Sequence, residues 1–96
     1  MAEPVVPKAT RDQIKPLVVA EIAEVTRKDP DQIQEENSLF DDLGMGDQVR
    51  RSMASPYTKI SKKFGGKPIS LMMAEELKTV AASIDLVLKR ANERDA

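Results

Sequence analysis

The 96-residue chain contains no cysteine, no histidine and no tryptophan. Without cysteine it has no disulfide framework, no thiolate metal ligand and no thiol nucleophile. Without histidine it lacks the commonest general base and the commonest zinc ligand. Hydrolytic triads, zinc sites and histidine pH switches are therefore excluded. Aromatic residues are confined to Phe40, Tyr57 and Phe64, too few to interleave with cations as a base-stacking platform, so nucleic acid is not the expected partner. No apolar run approaches the roughly 18 residues that a membrane-spanning helix needs. Residues 1–9 carry Pro4 and Pro7 and lack the basic-then-apolar order of a signal peptide, so a disordered arm and a cytoplasmic address are expected. Asp and Glu abound, but nothing pairs them at defined spacing with a nucleophile, so an enzyme is not expected.

Charge is nearly balanced, at −1, yet it is unevenly placed. The stretch 21–42 holds Glu21, Glu24, Asp29, Asp31, Glu35, Glu36, Asp41 and Asp42 against Arg27 and Lys28. The stretch 45–68 holds Arg50, Arg51, Lys59, Lys62, Lys63 and Lys67 against Asp47. Such a layout either steers a charged partner or makes two solvated faces of opposite sign.

The hydrophobic periodicity is helical throughout, and the length suits one domain over residues 10–90 followed by a flexible tail over 91–96. Thr10 and Gln13 form a capping-box signal, after which Ile14, Leu17, Val18, Ile22 and Val25 share one face of helix I. Pro16 either kinks this helix or places its start at Lys15. Asp29-Pro30-Asp31 ends the pattern. Residues 32–44 then make a long connection with apolar anchors at Ile33, Leu39, Phe40 and Leu43, expected to wrap over the bundle. Helix II is expected over residues 47–64, with Val49, Met53, Tyr57, Ile60 and Phe64 at helical spacing. Pro56 either kinks it or sits at the first position of a shorter helix capped by Ser55. Gly65-Gly66 is a left-handed stop. A short helix III over residues 69–78 follows, with Ser70 as its cap. Thr79 caps the last helix, whose Val80, Ile84, Val87 and Leu88 form an apolar stripe.

Local wording then carries a resemblance. Asn37-Ser38-Leu39-Phe40-Asp41-Asp42-Leu43-Gly44 resembles the segment before the attachment site of acyl carrier proteins. Lys63-Phe64-Gly65-Gly66-Lys67-Pro68-Ile69 is similar to the end of that family's second helix and the turn after it. Ala74-Glu75-Glu76-Leu77-Lys78-Thr79-Val80 followed by Ile84-Asp85 resembles its third helix and the start of its fourth. The resemblance covers residues 10–89 and implies an all-α fold: a four-helix acyl-carrier-like bundle with a long loop between helices I and II and a short helix III.

In that family a serine at the start of the second helix, in Leu-Gly-x-Asp-Ser-Leu, carries 4'-phosphopantetheine, whose thiol holds an acyl group. The sequence instead reads Leu43-Gly44-Met45-Gly46-Asp47-Gln48-Val49. Counted strictly, Asp47 holds the serine position; with one extra residue, Gln48 holds it. Neither side chain forms the phosphodiester. Three accounts follow. The arm is displaced onto Ser52, in Arg51-Ser52-Met53, or alternatively onto Ser55, with Arg50 and Arg51 flanking the phosphate. Or the chain never takes the arm and acts through contacts. Or a pocket between helices holds a ligand without covalent attachment. Against these stand plainer roles: Ser52 as a surface polar residue, Ser55 as a helix cap, and Met45, Met53, Met72 and Met73 as core rather than acyl pocket.

The family's second helix is acidic and read by basic partners, whereas here it bears Arg50, Arg51, Lys59, Lys62 and Lys63. Like charges would repel the usual partners, so the resemblance implies a monomeric carrier serving a specialised biosynthetic enzyme with an acidic docking face, in polyketide, lipid or fatty acid chemistry. The alternative is a protein-interaction module that uses the basic second helix for docking.

Overall fold

The computed structural model describes residues 8–93; residues 1–7 of the arm expected over 1–9 and residues 94–96 of the tail expected over 91–96 lie outside the described residues. The described chain is all-α. Five helices run in order: α1 (Arg11–Thr26), α2 (Asp47–Ser52), α3 (Ala54–Lys63), α4 (Leu71–Glu75) and α5 (Val80–Ala91), with a single 3₁₀ turn over Pro30–Gln32. α1 and α3 both pack on α5 and on each other, forming the main core, while α2 pairs with α4 and both touch α3.

α1 begins where its chemistry dictates. The Thr10 hydroxyl accepts from the Gln13 backbone N–H at 3.3 Å, and the Gln13 side chain accepts from the Thr10 N–H at 2.9 Å. This reciprocal cap satisfies two donors that the first turn would otherwise leave free, a gain of about 1 kcal/mol. The helix therefore starts at Arg11, not at Lys15, and runs on through Pro16. Pro16 cannot donate to the Asp12 carbonyl, but both residues are exposed, where water serves that carbonyl. Ile14, Val18, Val19, Ile22 and Ala23 are buried, whereas Val25, at the far end of the expected apolar face, is 42% exposed.

The connection after α1 wraps as expected, with one anchor misplaced. Ile33, Leu39, Leu43 and Met45 are buried, but Phe40 is 59% exposed. The loop is tied to the start of α5 by main-chain bonds: Leu39 N–H to the Lys78 carbonyl, Val80 N–H to the Asn37 carbonyl, and Ala81 N–H to the Glu35 carbonyl. Two of these donors belong to the first turn of α5, so the loop supplies acceptors that the helix itself lacks. Glu35 fastens the other side, reaching Arg11 at 2.6 Å and Lys15 at 2.8 Å.

The expected second helix is two helices. Pro56 has no N–H for the Ser52 carbonyl and its ring crowds that carbonyl, so the ladder fails there. α2 stops at Ser52, and Met53 joins it to α3 with no side-chain cap. Ser55 is accordingly not the cap; it is the second residue of α3, with Pro56 third, inside the first turn where a missing N–H costs nothing. Beyond α3, Gly65 takes a left-handed φ of 80°. Ser70 then caps α4 through the Met73 N–H, and α4 closes at Glu75, well short of residue 78. Thr79 caps α5 through the Ala82 N–H at 3.0 Å. Ala9, Ala91 and Asn92 belong to the folded unit, because Ala9 and Ala91 are buried and Asn92 bonds to Ala9.

Candidate functional site

Asp47, the residue that a strict count places at the family's attachment position, opens α2. Its exposed carboxylate meets the Arg50 guanidinium at 2.6 Å. Gln48, beside it, is also exposed. A helix start thus falls at the position the resemblance implies, but the groups it presents are a carboxylate and an amide.

Ser52 lies at the opposite end. It is the last residue of α2, and its hydroxyl donates to the Val49 carbonyl at 2.6 Å. It shares a groove with Glu21, Glu24, Val25, Met53 and Pro56. A phosphodiester there would face carboxylates and the negative end of a helix, and both oppose a second negative charge. The two arginines expected to flank it point elsewhere. Arg50 donates from Nε to the Glu75 carbonyl at 3.0 Å and from Nη1 to the Met45 carbonyl at 2.7 Å. Arg51 bonds the Glu75 carboxylate at 2.7 Å. Both tie α2 to α4, so of the basic residues singled out for partner binding, these two serve the fold.

Ser55 is a different case. It is exposed in the first turn of α3 and lines a groove of about 430 Å³ with Ala54, Thr58, Lys59, Ile69, Ser70 and Leu71. The neighbouring hydroxyls are occupied: Thr58 accepts from the Ile69 N–H and donates to its carbonyl, and Ser70 is a cap. Lys59 stands one turn along α3 from Ser55. Of the two serines, Ser55 presents an open hydroxyl near a cation, so it fits the phosphodiester of a phosphopantetheine arm better than Ser52 does.

Lys59, Lys62 and Lys63 are exposed, and none forms an ion pair among the described residues. Spacings of three and four residues place them along one side of α3. Their charge is therefore available to a partner, in contrast to that of Arg50 and Arg51.

Two features escape a reading by periodicity. Leu71 and Met72 are 56% and 70% exposed, and Met73 is also exposed, so the apolar run at the start of α4 stands largely outside the core. Met45 and Met53, by contrast, are buried. The signal was three consecutive apolar residues on a five-residue helix, which can bury only one side; here Ala74 takes the buried place. The second feature is a larger groove of about 600 Å³ lined by Ser38, Phe40, Asp41, Arg50, Glu75, Glu76, Leu77 and Lys78. Its walls mix both charges, setting Asp41, Glu75 and Glu76 against exposed Lys78 and the engaged Arg50.

Among the described residues no cluster of Asp and Glu is arranged to hold a metal ion, and no helix is long and apolar enough to cross a membrane. No protein family, no curated protein and no solved structure matches the chain.

Proposed function

We propose that this chain is an acyl-carrier-like helical module that works by docking rather than through a covalent arm, presenting α3 to an acidic face of a biosynthetic partner enzyme. One observation carries the reading: Lys59, Lys62 and Lys63 are exposed without carboxylate partners on one helix, while the helix start that should hold the attachment serine begins with Asp47. The surroundings of Ser52 add support, since its hydroxyl is engaged and its neighbours are Glu21 and Glu24. Exposed charges make such docking strongly salt-dependent.

The test is the intact mass of the protein purified from its own host, before and after treatment with a promiscuous phosphopantetheinyl transferase. An unmodified mass in both samples is the expected result. Added mass of one phosphopantetheine overturns the reading in favour of a working carrier.

A second reading rests on Ser55. Its open hydroxyl, with Lys59 one turn away and the first turn of α3 beneath it, suits a displaced arm that presents an acyl or biosynthetic intermediate. Under that reading, Ser55→Ala abolishes modification and Ser52→Ala does not.

A further inference from the structure

The groove between α3 and α4 lies beside the free lysines, and the combination defines what can bind there. Its floor is apolar, since Ala54 and Ile69 are each 4% exposed. Leu71 stands on one wall with most of its side chain in water, and Lys59 stands on the other. Lys62 and Lys63 continue the basic line toward the end of α3. From Ser55 to Lys63 the helix advances about 12 Å, the length of roughly two turns of a helix laid alongside it.

We infer that this surface receives an acidic amphipathic helix of the partner, with one aliphatic or aromatic side chain inserted between Leu71 and Lys59 and carboxylates set against Lys59, Lys62 and Lys63. This rests on the docking function proposed above and names the partner's chemistry. Charge complementarity selects an acidic segment over a basic or neutral one. The apolar floor and the exposed Leu71 require an anchor, because carboxylates alone would leave that surface in water. A bilayer of anionic lipid would also meet lysines and apolar side chains, but it offers a flat face. Residues of both α3 and α4 line the groove, so one inserted side chain meets Lys59 and Leu71 together, and a lipid surface is the alternative that vesicle binding reads out.

The experiment is selection from a displayed library of short helices, randomised in charge and at one central position, against the full chain. Winners are then titrated by amide chemical shifts into the wild-type protein and into two variants. Leu71→Ser alters an exposed wall, and Lys59→Glu with Lys62→Glu reverses exposed charges, so neither is expected to unfold the chain. The expected winners are rich in Asp and Glu with a large apolar residue at the centre, shift the amides of residues 54–71, and lose about tenfold or more in affinity with either variant. Acidic winners indifferent to the central residue and to Leu71→Ser overturn the groove while leaving the basic docking face intact. Winners without acidic character, or binding to phosphatidylglycerol vesicles in place of any helix, overturn both.

Discussion

The side-chain amide of Asn92 clamps the backbone of Ala9 from both sides, accepting from its N–H at 2.8 Å and donating to its carbonyl at 3.0 Å. The two residues are 83 positions apart, so this pair joins the two ends of the described fold. It also seats Ala9 in the core just before the Thr10 cap begins α1.

Asn92→Ala removes both bonds and leaves the Ala9 amide without its partner. The expected cost is about 1 to 2 kcal/mol, read as a lower midpoint in urea. Faster hydrogen exchange at Ala9, with α3 protection preserved, would locate the effect. An unchanged midpoint would make the clamp a by-product of α5 packing.

Gly66 sits where no side chain can. A Cβ there would fall 2.3 Å from the Arg90 carbonyl oxygen and 2.4 Å from Ala91 Cα, both on the backbone of α5. Since backbone cannot rotate aside, Gly66→Ala must push the α3–α4 turn away from α5. It would also strain the bond from Lys67 N–H to the Arg90 carbonyl. The expected destabilisation is at least about 1 to 3 kcal/mol, measured by thermal unfolding. The same substitution at Gly46, where a Cβ meets nothing within 4 Å, is the control and should be nearly silent.

What the sequence made legible was local. Thr10 with Gln13, Ser70 and Thr79 cap their helices because a cap depends on neighbours a few residues away. The α5 stripe is similarly legible, with Val80, Ile84 and Val87 buried. Less legible was anything settled by distant partners. Phe40 and Leu39 are equally apolar in the sequence, yet only Leu39 is drawn inward, by its main-chain bond to Lys78. Arg50 and Lys62 both read as basic residues of one helix, and only the fold brings the Glu75 and Met45 carbonyls to Arg50. The break at Met53 was half legible: Pro56 announced it, but the interruption falls on the carbonyl four residues earlier.

Tyr57 makes the alkaline limb of stability easy to read, because it is the chain's single tyrosine and there is no tryptophan. Its hydroxyl is buried without a hydrogen-bond partner of good geometry, although Ser83 lies close enough to pull its pKa slightly down. Burial prevails and pushes it up to about 12 from an ordinary 10. The unfolded chain therefore loses this proton first. Stability from Tyr57 is full below pH 10 and declines as pH rises from 10 toward 12. Phenolate absorbance should rise together with unfolding in that window. Tyr57→Phe should remove this component and, by deleting a buried unpaired hydroxyl, leave the protein at neutral pH as stable or about 1 kcal/mol more stable.

Glu35 sets the acid limb in the opposite sense. Hydrogen bonds from Arg11, then Lys15, hold its pKa down at about 2 against an ordinary 4.5. Because the folded pKa is the lower, its contribution is present above pH 4.5 and is lost as pH falls toward 2. Glu35→Gln should flatten the stability profile across that window and lower stability at neutral pH. A profile that keeps its full slope in the variant would assign the acid sensitivity to other carboxylates.

Within one basic run, Arg50 serves the fold and Lys62 is free for docking. Arg50 is only 14% exposed at its side chain, and its guanidinium joins Met45, Asp47 and Glu75, thereby linking the wrapped loop, α2 and α4. Arg50→Ala leaves two carbonyls short of a charged donor and should cost about 2 to 3 kcal/mol, seen as a lower unfolding midpoint. Lys62→Ala removes an exposed cation with no ion-pair partner among the described residues, so its effect on stability should stay within about 0.5 kcal/mol. Binding to an acidic partner should respond differently. Lys62→Ala should weaken it and reduce its dependence on salt, because one exposed charge has left the contact. If Arg50→Ala weakened binding while the fold stayed intact and Lys62→Ala did nothing, the docking face would have to move from α3 to the α2–α4 edge.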